Sequence, residues 1–193
     1  MPSRAEAAIL LEEWVENEGL RNHMRSVEAA VRAYARRFGE DENHWGLAGL
    51  LHDLDWEKFP EEHPLRAVDA LRERGFEEDI LHAILAHRPD FTGVKPETLL
   101  DRTLSACDEI TGLVTATALV RPTGIDGLTA KSVKKKMKDP AFARGVDRNE
   151  VRHAAEELGV DLDEHIQTVI DAMSAIADEL GLTRPAVTTR EEA

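Results

Sequence analysis

The chain has 193 residues, with 38 acidic against 24 basic side chains, a formal net charge of −14 and one cysteine, Cys107. That length supports a single core burying roughly 70% of the unfolded chain's surface, and a lone cysteine excludes an intramolecular disulfide or a Cys-based structural zinc site. The acidic balance disfavours duplex nucleic acid and anionic membrane as partners.

Apolar residues recur at three- and four-residue spacing along most of the chain, and β-branched alternation is scarce. The pattern predicts an all-α protein. A first helix is expected over about Arg4 to Asn17, with Ser3 and Glu6 as a capping box and Gly19 closing it. A second runs from about Leu20 to Phe38 and stops at Gly39. A third begins near Asp41 and carries HWGLAGLLHD. The next opens at Pro64 and stops at Gly75, and another spans about Glu77 to Arg88. A long helix follows Pro96, LLDRTLSACDEITGLVTATALV, and ends before Pro122. Beyond it, Gly and Lys increase and the spacing loosens. A short helix is expected around Ala130 to Lys138, then two more over roughly Arg148 to Leu158 and Leu162 to Leu180. The sequence reads as one domain over residues 1–183, followed by a frayed tail over 184–193. No apolar run approaches the ~18 residues of a membrane span. The opening MPSRAEAAILLEEW carries acids inside its apolar run, unlike a secretory signal. A cytoplasmic location is expected.

Eight histidines are present. Metal chemistry needs several neutral imidazoles and carboxylates converging on one point. His23 lies in the second helix, His52 and Asp53 end the third, His63 precedes the fourth and His87 ends the fifth. Asp108, in SACDEITGLV, sits mid-helix among small and apolar neighbours, where a carboxylate either faces solvent beside Glu109 or needs a cation or partner. His82 and His87 are about 140° apart around a helix, so they do not easily share a metal, and His87 is preferred. His44 reads as a capping or surface residue, and His153 and His165 as structural.

His23, then His52–Asp53, then a distant helical Asp108, all on separate helices, resembles the pattern of HD-domain metal-dependent phosphohydrolases. HPLRAVDAL and ILAHRPDFTG resemble the segments that supply further histidines in di-metal members, which implies His63 and His87 at a second ion. The resemblance covers about His23 to Pro122, implying a metal-binding core over about 20–122 and a helical extension over about 123–183. KSVKKKMKDPAFARGVDR resembles a segment that follows the core in small bacterial HDIG-type hydrolases. Here Leu54–Asp55 stands where those proteins have Ile-Gly, and Trp56 where a lysine is sometimes found. The implied fold is an HD-domain helical bundle with extra C-terminal helices.

The implied activity is hydrolysis of a phosphomonoester or phosphodiester of a small molecule, a nucleotide being the expected class, by metal-activated water. His and carboxylate donors suit one or two divalent ions among Mn, Fe, Ni, Zn and Mg. Arg88 is placed for a bidentate grip on phosphate, with Lys58 a second candidate. Asp53 is a ligand and catalytic candidate, and Asp55 or Glu57 could orient water or pass protons. The basic segment Lys131–Lys138 reads either as a solvated helix face or as a lid that draws in a phosphorylated substrate. Two other functions fit the same residues: a di-iron oxygenase on an HD scaffold, and a non-catalytic nucleotide- or partner-binding HD module.

Overall fold

The computed structural model describes residues 2–184. Apart from Arg184, the tail expected over 184–193 lies outside the described residues. The described chain is entirely helical: α1 (Arg4–Trp14), α2 (Glu18–Phe38), α3 (Glu42–Leu51), α4 (Leu65–Glu73), α5 (Glu78–Ala86), α6 (Pro89–Thr92), α7 (Leu99–Leu119), α8 (Ala130–Met137), α9 (Arg148–Leu158) and α10 (Leu162–Ser174). Among the described residues no helix is long and apolar enough to cross a membrane.

Side-chain caps set most of the boundaries. Ser3 and Glu6 form the expected capping box of α1, and Thr98 and Asp101 form a second one on α7. Asp41, Asp147 and Asp161 each accept backbone N–H groups at the starts of α3, α9 and α10. Gly39 ends α2 at φ 77°, as its place after the periodic run predicts. Gly19 does not close α1. The Asn17 side chain accepts the Leu20 N–H and starts α2 at Glu18, so Gly19 lies in the first turn of α2 and α1 ends at Trp14. The last helix is also shorter than its apolar spacing predicts, ending at Ser174, with turns continuing to Gly181.

α2 and α7 are the two longest helices and form the centre of the core. α2 packs on α3 and α7, while α7 also receives α5, α9 and α10. α2 buries Met24, Val27, Val31 and Tyr34, and α7 buries Leu104, Ile110, Leu113 and Val114. The α2–α3 contact is unusually close for a physical reason. A Cβ built on Gly49 would lie 2.9 Å from the Glu28 backbone, so only glycine lets the helices approach this far. That approach brings the end of α3 beside the first turns of α2.

A buried polar chain ties α10 to the centre. His165 donates from Nε2 to the Ala106 carbonyl oxygen (2.8 Å), and its Nδ1 accepts from the Tyr34 hydroxyl (2.6 Å). The expectation of a structural role for His165 matches this placement. His153 differs: it is exposed and faces only Glu157 on its own helix.

Candidate metal centre

α3 ends at Leu51, and His52 is its C-terminal cap. Asp53 follows in the turn that continues from it. His87 caps α5 in the same way. His63 stands just before α4, His23 in the second turn of α2, and Asp108 in the middle of α7. The C-terminal ends of α3 and α5, which carry negative partial charge, therefore lie beside the same group of donors.

Two triads of ligand atoms result. His23, His52 and Asp108 form one, and Asp53, His63 and His87 the other, with the donor atoms in each within 4.8 Å of one another. Asp108 Oδ1 is 2.9 Å from His23 Nε2 and 3.4 Å from His52 Nε2. Asp53 faces both triads: its Oδ2 is 3.5 Å from His52 Nε2 and 3.8 Å from His23 Nε2, while its Oδ1 is 3.2 Å from His63 Nε2 and 3.7 Å from His87 Nε2. Asp108 points into this cluster and not into bulk water.

The hydrogen bonds behind the rings fix which nitrogen faces inward. His52 Nδ1 donates to Gly49 O (2.9 Å), and His87 Nδ1 donates to Ile84 O. His63 Nδ1 donates to Asp55 Oδ1 (2.6 Å). His23 Nδ1 lies 3.3 Å from Thr111 Oγ1, whose own proton goes to the Asp108 carbonyl oxygen (2.8 Å). Each Nδ1 thus carries its ring's proton, and each Nε2 presents a lone pair to the cluster. The pairs His23–His52 and His63–His87 then bring Nε2 within 3.3 and 3.1 Å of each other, beside two carboxylates. Lone pairs at that separation repel unless a cation or an added proton lies between them. The donor set fits one or two divalent cations.

Without such a cation, burial pushes the His52 pKa down, but the charges of Asp53 and Asp108 outweigh it and lift the value to about 9. Burial alone would raise the carboxyl pKa values of Asp53 and Asp108. The charge of His52, together with the neighbouring imidazoles of His87 at Asp53 and His23 at Asp108, holds both below the usual carboxylate range. The cluster opens on a cavity of about 400 Å³, walled by Trp56, Arg88, Asp90, Glu109, Gly112 and Glu150 as well as by every donor except the fully buried His52. The Arg88 guanidinium lies 5.6 Å above the Trp56 ring at this wall. Glu109 accepts the Asp147 N–H (3.2 Å), and burial followed by the Asp108 charge pushes its pKa up to about 7.

Three expected catalytic residues stand elsewhere. Asp55 is fully buried, with one oxygen on His63 and the other on the Ala67 N–H (2.8 Å). It orients a donor and has no free face toward water. Glu57 Oε2 accepts the N–H groups of Glu16 and Asn17 (2.9 Å each), which draws it to the start of α2. Lys58 donates to the Glu13 carbonyl oxygen (3.0 Å) and lies over the Trp14 ring. The basic segment does not form the proposed lid: Lys134 pairs with Asp163 and Lys136 lies over Phe142, and none of its lysines lines the cavity. His44 is held by Asp79 (2.6 Å) and His82 faces Asp101 (3.0 Å), both apart from the cluster.

Trp56, Asp90, Glu109 and Glu150 are cavity residues that pattern reading missed. Glu109 was visible only as the neighbour of Asp108. Glu150 had no signal, because it comes from α9, far along the chain.

A family model described as HD domain matches residues 20–113. That stretch contains all six donors. It stops before the segment resembling HDIG-type hydrolases and before α9. Among curated proteins no relative matches the chain.

Proposed function

We propose that the chain, whose residues 20–113 match an HD-domain family model, is a metal-dependent phosphohydrolase that cleaves a phosphomonoester or phosphodiester of a small molecule, with a nucleotide as the expected class. The observation that carries this reading is the Asp53 carboxylate facing two triads of inward lone pairs at the floor of an open cavity. When bound there, divalent cations among Mn, Fe, Ni, Zn and Mg supply Lewis acidity toward water and phosphate. The protein's own groups do the rest. Asp53, Asp108 and the four histidines hold the charge, Asp55 and Thr111 fix ring orientation, and Arg88 offers its guanidinium at the wall to phosphate oxygens. A cavity of about 400 Å³ suits a small substrate. The buried free thiol of Cys107 favours a cytoplasmic setting.

The test is metal analysis of protein purified without added metal, followed by turnover of p-nitrophenyl phosphate and bis-p-nitrophenyl phosphate with and without chelator. Metal-dependent release of p-nitrophenolate that Asp53→Ala abolishes is the expected result. Dioxygen uptake by iron-loaded protein without ester cleavage would overturn it in favour of an oxygenase. Bound metal with neither activity would leave a binding module.

A further inference from the structure

His23 and Gly112 belong to the walls of two cavities. One is the donor cavity; the other, of about 330 Å³, is lined by Ala116, Leu119, Leu180 and Leu182, with Asn22, Ser26 and Thr115 adding a few polar groups to a mainly apolar wall. The two adjoin at these shared residues. Gly112 lies inside α7, where glycine is the least favourable residue apart from proline. Packing does not require it: a Cβ there would meet only Val146 Cγ2, at 3.5 Å, an ordinary contact. Its missing side chain leaves bare a stretch of wall common to both cavities, on the side facing Val146 of the donor cavity. At the rim of the second, Leu119 is 51% exposed, an apolar side chain with no covering partner among the described residues.

The donor cavity itself is acidic beyond its donors. With Asp53 and Asp108 facing the cation sites, Asp90, Glu109 and Glu150 remain in the wall, and among the described residues Arg88 is the one guanidinium that lines it. Further phosphates on a substrate would meet these three carboxylates, whereas an uncharged apolar group has the adjoining bay to enter.

We propose that the bay beside Gly112 receives the organic group of the substrate, and that this narrows the expected class from nucleotides in general to a singly phosphorylated ester with an uncharged, predominantly apolar organic group. The proposal rests on the hydrolase reading. Water attacks phosphorus, the P–O bond to the organic group breaks, and the alcohol leaves with a proton from that water.

The experiment uses the metal-loaded full chain and alkyl phosphates from methyl to hexyl, with the matching p-nitrophenyl alkyl diesters. A fully buried methylene is worth about fourfold. In a bay open at one side, kcat/KM should therefore rise at least about tenfold from methyl to hexyl. Leu119→Asp and Gly112→Val should each compress the hexyl-to-methyl ratio to about threefold or less. A nucleoside monophosphate should turn over at least about tenfold faster than its triphosphate. Binding of methyl- and hexylphosphonate to the metal-loaded protein, read by calorimetry, separates the two readings. Turnover that does not vary with chain length overturns the subsite and leaves the hydrolase. Graded phosphonate binding without turnover overturns the hydrolase and leaves the subsite. Faster turnover of the triphosphate, or equal binding of the two phosphonates, overturns the subsite. A gradient that appears only after residues 185–193 are removed assigns the bay to the tail and overturns it as well.

Discussion

Two regions of this molecule bury imidazoles between the same central helices, and they treat them in opposite ways. At α10, His165 donates to Ala106 and accepts from Tyr34, so both nitrogens are satisfied in the neutral ring. Burial holds its pKa below the ordinary 6.5, and the Ala106 carbonyl only partly offsets that. At the end of α3, His52 is equally buried, but its inward nitrogen faces acceptors only, and the carboxylates raise its pKa to about 9. A closed donor–acceptor chain is a structural device. Converging acceptors with no donor among them form a site for something positive. Burial alone does not distinguish the two; the accounting of protons does.

Breaking the acceptor cluster should have the largest effect. Asp53→Ala removes the carboxylate that faces both triads, and should abolish metal retention and lower turnover about a thousandfold or more while helical circular dichroism is preserved. Full metal content and full rate in that variant would end the site assignment. Breaking the closed chain should do the reverse. His165→Leu takes the acceptor from the Tyr34 hydroxyl and the second donor from the Ala106 carbonyl, which keeps its helical bond, at about 1–3 kcal/mol of stability, with unchanged metal stoichiometry per folded molecule. The sign of its pH dependence also follows. The folded pKa is depressed, so the contribution is complete above the unfolded value of 6.5 and declines as pH falls below it, where the unfolded chain takes up the proton first. Urea midpoints at pH 7.5 and 5.5 should fall more for wild type than for His165→Leu.

Much of this arrangement was legible before any coordinates. Caps at Ser3, Asp41 and Gly39, and the apolar periods between them, place most of the helices, because those signals are local. The order His23, His52–Asp53, Asp108 marks the donors through its resemblance to HD-domain hydrolases; taken by itself, the sequence around Asp108 leaves that carboxylate between a solvent face and a cation site. The roles of Asp55, Glu57 and Lys58 were not legible. All three follow the HD pair, and only the turn after α3 decides that Asp55 goes inward to His63 while Glu57 and Lys58 go to the ends of α1 and α2. Glu150 was out of reach for a different reason: α9 is brought to the cavity by packing on α7, across about forty residues with no pattern linking them.

Asp55 therefore supplies the next test, at the level of the support behind the donors. Asp55→Asn keeps the shape but presents an NH2 group to either the His63 Nδ1–H or the Ala67 N–H, a donor against a donor. Metal affinity should fall about 10- to 100-fold, read by competition with a chromogenic chelator, while the fold persists. Unchanged affinity would mean that His63 is not oriented through Asp55.

The smallest effects concern the two cations that follow the donors in sequence. Arg88 stands at the cavity wall over Trp56; Lys58 is tied to Glu13 and Trp14 on the other side of the turn. Charge alone would assign both to phosphate, and a steering effect through the solvent would be felt from either. At a Debye length of about 8 Å only the contact at the wall survives screening. Arg88→Ala should lower kcat/KM for a phosphate ester about tenfold with metal content unchanged, whereas Lys58→Ala should alter it less than about twofold at 0.15 M salt. Equal losses in the two variants would show that the site recognises phosphate by its field and not by a guanidinium placed against it.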